Sequence, residues 1–194
     1  MKKLLSFLPL LLAGCGPCQE IILSPPERAW LAAYQPGEKI TFRSNRGRTN
    51  TLTMLPPKEW HENTDCNRLE SGNYQPIFSQ IILQSATVYN ARNPYFLVTM
   101  RKNNPDRPGY LTFSMAGVEC GTAAEEGQPT SKLQQRSCTL TTTGQVYPRA
   151  YFFQDGQNAT HYGTGPVRAF YWDRQAGLIR YDLADGETFE LAAD

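Results

Sequence analysis

The chain has 194 residues, 40% of them hydrophobic and 19% charged, with 19 Lys and Arg against 18 Asp and Glu. That length suits one ordinary domain with a real core, and the near-neutral balance excludes the basic surface that nucleic acid or an anionic membrane would need. Removing Lys2 and Lys3 from the 19 basic residues leaves 17 against 18, a net charge of −1.

The chain opens on Met1-Lys2-Lys3 and continues as the apolar Leu4-Leu5-Ser6-Phe7-Leu8-Pro9-Leu10-Leu11-Leu12, followed by Ala13 and Gly14. A basic start, a short apolar run and small residues before a cut are the features of an export signal. The run has about half of the roughly 20 apolar residues a spanning helix needs, and Pro9 interrupts it. Leu12-Ala13-Gly14-Cys15 resembles, position by position, the lipobox of bacterial lipoproteins. The resemblance implies cleavage before Cys15, which then carries diacylglycerol as the new N-terminus. Two or more acyl chains anchor stably, each buried CH₂ contributing about 0.8 kcal/mol. Cys15 is therefore expected to tether the chain to a lipid bilayer and not to act as a catalytic thiol. Gly16 stands where inner-membrane lipoproteins of enterobacteria carry aspartate, so the likeness implies a cell-envelope address at the outer membrane. The expected organisation is a signal peptide over 1–14, a lipidated tether over 15–24 and a single β-rich domain over 25–194.

Four cysteines remain: Cys18, Cys66, Cys120 and Cys138. An even number in an exported chain suggests two disulfides, for which three pairings exist. The polar stretch from Gly121 to Thr130 reads as a loose excursion from a sheet. Closing it with a Cys120–Cys138 bond would contribute about 3 kcal/mol in the chain-entropy model. Cys18 and Cys66 would then pin the tether to the domain.

One short helix is expected. Ser24-Pro25-Pro26-Glu27 has the capping-box pattern with proline at the first helical position. Trp30, Ala33 and Tyr34 follow on one face, and Pro36-Gly37 stops it. After that the apolar residues alternate with period two. Ile40 and Phe42, the turn-rich Ser44-Asn45-Arg46-Gly47, then Leu52 and Met54 read as a hairpin. A longer β segment is expected from Ile77 to Tyr89. Tyr95 to Met100 and Tyr110 to Met115 frame the breaker 103–109, and Cys138 to Thr141 and Tyr151 to Phe153 are further strands. The basic clusters Arg43-Arg46-Arg48 and Arg101-Lys102-Arg107 are expected to be solvated loops.

In the last hairpin a two-residue Asp185-Gly186 loop would set the apolar residues on opposite faces. A three-residue loop, Ala184-Asp185-Gly186, pairs Tyr181 with Phe189 and Ile179 with Leu191. Because register follows the face that can be buried, the three-residue loop is expected, with Gly186 left-handed. Phe170-Tyr171-Trp172, Gly177-Leu178-Ile179-Arg180-Tyr181 and Asp185-Gly186-Glu187 resemble the closing hairpin of small β-rich lipoproteins of Bacteroidota. Trp30, Tyr34, Pro36-Gly37 and Ile40-Thr41-Phe42 are similar to their start. The likeness implies class and location and carries over no functional residue. The expected fold is mainly β, an antiparallel barrel or sandwich with one short N-terminal helix. A half-barrel closed over by that helix, as in periplasmic lipoprotein carriers, is one version.

The catalytic inventory is thin: no nucleophile elbow, no His-Glu-x-x-His and no phosphate-binding loop. Gly163-Thr164-Gly165 is a lone GxG. His61 lies in Glu59-Trp60-His61-Glu62 near Asp65 and Cys66 without a metal-ligand spacing, and His161 sits in a polar stretch. No catalytic, metal or cofactor residue is assigned. The aromatic residues hold more promise. In a strand, adjacent side chains point to opposite faces, so Tyr151-Phe152-Phe153 and Phe170-Tyr171-Trp172 cannot all enter one core. Either the second face is covered, or Tyr151, Phe153, Tyr171 and Trp172 contribute to a ligand surface. The expected function is a non-catalytic envelope lipoprotein that binds a protein or an apolar ligand. The alternatives are a structural or assembly role, and a hydrolase with a scattered site.

Overall fold

The computed structural model describes residues 18–67, 69, 72–92, 94–122 and 133–193. The lipobox and Cys15 lie outside them. After β1 (Gln19–Glu20), Ser24 begins a single helical turn, α1 (Pro25–Arg28), which tightens into a 3₁₀ turn over Ala29–Leu31. The helix is shorter than its pattern, and its first turn keeps the expected capping box, in which Glu27 also reaches other groups. Its carboxylate accepts from Ser24 N and Oγ, each at 2.7 Å, and also from Gly109 N at 2.7 Å and Lys102 Nζ at 3.2 Å.

The strands then run β2 (Lys39–Ser44), β3 (Thr49–Met54), β4 (Lys58–His61), β5 (Tyr74–Gln75), β6 (Ile77–Ser85), β7 (Tyr95–Lys102), β8 (Tyr110–Met115) and β9 (Val118–Gly121). They continue as β10 (Gln134–Thr139), β11 (Val146–Gln154), β12 (Thr160–His161), β13 (Val167–Asp173), β14 (Gly177–Leu183) and β15 (Thr188–Leu191). All but β1 and β5 belong to one antiparallel sheet, in the order β10-β11-β13-β14-β15-β2-β3-β6-β7-β8-β9-β12, with β4 also on β6. The sheet is a curled half-barrel. Its curl brings β12, which the chain places between β11 and β13, against β9 at the far edge. Tyr162 N donates to Gly117 O at 2.7 Å and Asn90 Nδ2 to Tyr162 O at 3.2 Å along that seam. Gly163-Thr164-Gly165 runs beside Asn90 there, so the GxG belongs to the fold.

The inner face holds the core. Phe42, Phe96, Phe113, Phe153, Phe170, Trp172 and Tyr181 are each 0% exposed. Their rings touch in chains: Phe113–Phe153 at 4.9 Å, Phe153–Phe170 at 4.6 Å and Phe113–Trp172 at 5.3 Å. Tyr181 stacks on Phe189 at 4.9 Å. Such pairs add roughly 0.5–1.5 kcal/mol each beyond area burial. The expected β segment ending at Tyr89 stops instead at Ser85. Beyond it, Thr87 N donates to Asn50 Oδ1 at 3.2 Å, and Tyr89 Oη lies 2.9 Å from Tyr181 Oη.

The closing hairpin has the expected turn. Tyr181 faces Phe189, the loop is Ala184-Asp185-Gly186, and Gly186 has φ 81°. Ile179 differs. Tyr171 pairs with Arg180 and Trp172 with Leu178, so Ile179 is the extra residue of a bulge. The bulge turns Ile179 to the outer face, into a small cluster with Cys138, Leu140 and Ala150.

Candidate functional site

The N-terminal segment lies across the mouth of the half-barrel and is held at several points. Arg28 makes two hydrogen bonds to Glu59 of β4, at 2.8 and 3.1 Å. The ring of Trp30 packs on Tyr151 at 4.8 Å, with the Arg174 guanidinium 4.5 Å from its centre. Tyr34 is buried, and its Oη accepts from Leu178 N at 2.6 Å. A Cβ on Gly177 would collide with that Tyr34 ring, so only glycine permits this close approach. His61 Nε2 lies 3.0 Å from Ile21 O, which gives the first histidine a backbone partner. The second histidine is tied into a turn, where His161 N donates to Asp155 Oδ1 at 3.0 Å.

Between this segment and the sheet runs a cleft of about 250 Å³. Ser79 and Ile81 of β6 form its floor, Leu31 and Ala32 one wall, Pro57 and Lys58 the other. The Arg28–Glu59 pair joins the two walls. Its hydrogen bond to Arg28 holds the Glu59 carboxyl below the usual range, and Glu59 in turn raises the Arg28 pKa. Both side chains are well exposed, at 46% and 39%, so water screens the pair and it contributes little to stability. β4 has a strand neighbour on one side only among the described residues, and the cleft is lined from β4 and from that neighbour, by Lys58, Glu59, Ser79 and Ile81. The cleft thus offers apolar walls and one carboxylate–guanidinium pair.

Behind it lies a charge pair built on Lys102, a residue expected to sit in a solvated loop. Lys102 is instead 9% exposed and sits 3.2 Å from Glu27. Burial alone would raise the Glu27 pKa. The Gly109 and Ser24 amides, the Ser24 hydroxyl and Lys102 outweigh that and lower it to about 2. At the opposite end of the core, Glu187 is 0% exposed and ion-paired with Arg48. Both were legible by parity. Lys102 continues the inward series Phe96, Val98, Met100, and Glu187 precedes the inward Phe189 by two residues.

The aromatic surface candidates are not brought together as a surface. Phe153 and Trp172 are fully buried in the main core. Tyr151 packs against Trp30. Tyr171 lies on the outer face, 4.8 Å from Phe152. There arginines cover the rings, with Arg136 4.0 Å from the Phe152 centre and Arg180 5.4 Å from that of Tyr171. So the second face is covered by guanidinium groups, which stack on aromatic faces.

Of the cysteines, Cys18 and Cys66 form a disulfide with Cα atoms 5.9 Å apart. The expected Cys120–Cys138 bond is absent. Cys120 on β9 packs in the main core, whereas Cys138 on β10 belongs to the outer cluster. The two thiols therefore pack in different clusters, one in the main core and one outside it. Burial raises the Cys138 thiol pKa to about 11, so it stays protonated and unreactive.

No group of three His, Cys, Asp or Glu among the described residues is placed to hold a metal ion. None of their helices is long and apolar enough to cross a membrane. Comparison with protein-family models, curated proteins and solved structures finds no match to this chain.

Proposed function

We propose that this chain is a lipid-anchored envelope protein, held at the outer membrane through an acylated Cys15, whose half-barrel is a non-catalytic binding module for a protein partner. One observation favours a protein over an apolar cargo. The concave face, where a carrier would hold an acyl chain, is filled by seven rings that are each 0% exposed. Ligand pockets for small molecules span roughly 300–1,000 Å³, and the cleft at the mouth is about 250 Å³. An apolar side chain of the partner would enter the cleft between Leu31 and Pro57, beside the Arg28–Glu59 pair. The lipobox resemblance supports the anchor.

Mass spectrometry on the full-length protein, under native and denaturing conditions, tests this reading. The expected result is diacylglycerol mass on the peptide that begins at Cys15, and no small-molecule excess in the native spectrum. An unmodified Cys15 overturns the anchor. An excess lost on denaturation means a bound ligand and replaces the partner with a cargo. A photo-crosslinking side chain at Lys58, in intact cells, is expected to give one discrete protein adduct, and its absence removes the partner.

A further inference from the structure

The proposed lipid on Cys15, on which this inference rests, brings one end of the domain to the bilayer. Cys18 stands three residues after Cys15, and three residues span at most about 11 Å. The Cys18–Cys66 disulfide fixes that point to the body of the domain. Three large apolar side chains are exposed on the segments tied to this end: Ile22 at 74%, Leu69 at 97% and Trp60 at 39%. Ile21 O lies 3.0 Å from His61 Nε2, which ties this segment to the end of β4. The neighbouring Trp60 turns to the other face of that strand and stacks on Phe78 at 5.2 Å, with Arg101 4.6 Å from the Phe78 centre. Leu69 follows Cys66 by three residues, its amide donating to Asn67 Oδ1 at 3.1 Å. Gln75 Nε2 lies 3.0 Å from Cys18 Sγ and 3.2 Å from Thr64 O, closing the same small region. Exposed Tyr95, by contrast, pairs with Gln84 at the other end of β6.

We propose that this end is a second membrane contact: Ile22, Leu69 and the Trp60 indole enter the headgroup layer of the bilayer that holds the Cys15 lipid. Amphipathic indoles favour that layer. Glu20, Glu62 and Asp65 stand near these residues in sequence and Arg101 lies 3.7 Å from Glu62, so no basic excess draws this end to an anionic surface and the attraction is apolar. The anchor supplies proximity, and the patch sets the orientation, which directs the cleft by β4 at a fixed angle to the membrane.

The test uses the full-length lipidated protein in phosphatidylcholine and phosphatidylethanolamine vesicles with brominated acyl chains, which quench tryptophan on contact. Acyl mass on Cys15 is measured on the same sample. Expected is quenching that disappears in Trp60→Phe and falls at least twofold in Ile22→Ser with Leu69→Ser. An apolar contact also leaves it unchanged by 1 M salt, which screens charges. Equal quenching in wild type and Trp60→Phe overturns the contact while leaving the anchor intact. Quenching that needs phosphatidylglycerol and vanishes in salt overturns it in favour of charge adsorption. A Cys15 without lipid overturns the anchor and the contact together. Circular dichroism of the variants guards against misfolding, which these exposed positions are not expected to cause.

Discussion

At Glu27 a helix cap and a buried ion pair are the same carboxylate, so the stability of the fold depends on its protonation. Its folded pKa is about 2 against an ordinary 4.5. A depressed folded pKa contributes stability that is complete above about pH 4.5 and lost as pH falls toward 2. Glu27→Gln is expected to cost about 2–3 kcal/mol at pH 7, because Lys102 is left buried without its counter-charge. In urea unfolding that difference should shrink at pH 2.5, and an equal loss at both pH values would rule out the pair as its origin. Gly186 shows a different residue-scale constraint. Its φ is 81°, and a Cβ there would meet nothing within 4 Å. The penalty for a side chain is therefore backbone conformation alone, about 1–2 kcal/mol. Gly186→Val should lower the melting temperature, Gly186→Asn clearly less, since asparagine tolerates this region. Similar melting for the two variants would contradict the left-handed turn.

Among the elements, the N-terminal segment depends most on its attachments. One helical turn is too short to be stable alone, so α1 persists through Arg28, Trp30, Tyr34 and Glu27. The Cys18–Cys66 bond closes a span of 48 residues, for which the chain-entropy model gives about 4 kcal/mol. Reduction should lower stability by up to that amount and speed proteolysis near Ile21 before the sheet unfolds. Unchanged proteolysis on reduction would show that the bond does not order this segment. Much of this was legible in the sequence. The capping box located Ser24 and Glu27, alternation located the hairpins, and burial parity chose the three-residue loop at Gly186. What escaped had long-range causes. The bulge at Ile179 depends on the partner strand β13, and the Cys120–Cys138 pairing fails because the two thiols pack in different clusters. Neither is encoded within a local window.

On the scale of the whole molecule, the class was legible and the site was not. Short alternating strands with one capped helix specify an antiparallel β fold, and the half-barrel is one of its few closures. The cleft combines Arg28, Leu31, Pro57, Glu59 and Ile81, drawn from separate parts of the chain, and no spacing announces it. Doubled aromatics, by comparison, signalled a two-faced strand but not what covers the second face; that depended on Arg136 and Arg180 from neighbouring strands. The strand order carries a further consequence. β15 lies between β14 and β2, and Phe189, Glu190 and Leu191 pair with Ser44, Arg43 and Phe42. The last of the described strands in chain order is thus the one that joins the two halves of the sheet. Until Leu191 is in place, β2 and β14 each carry a bare edge, and such contacts between distant parts of a chain form slowly. A chain cut short after Ala184 would keep most of its strands and lose the join, leaving two open edges for aggregation or degradation to find.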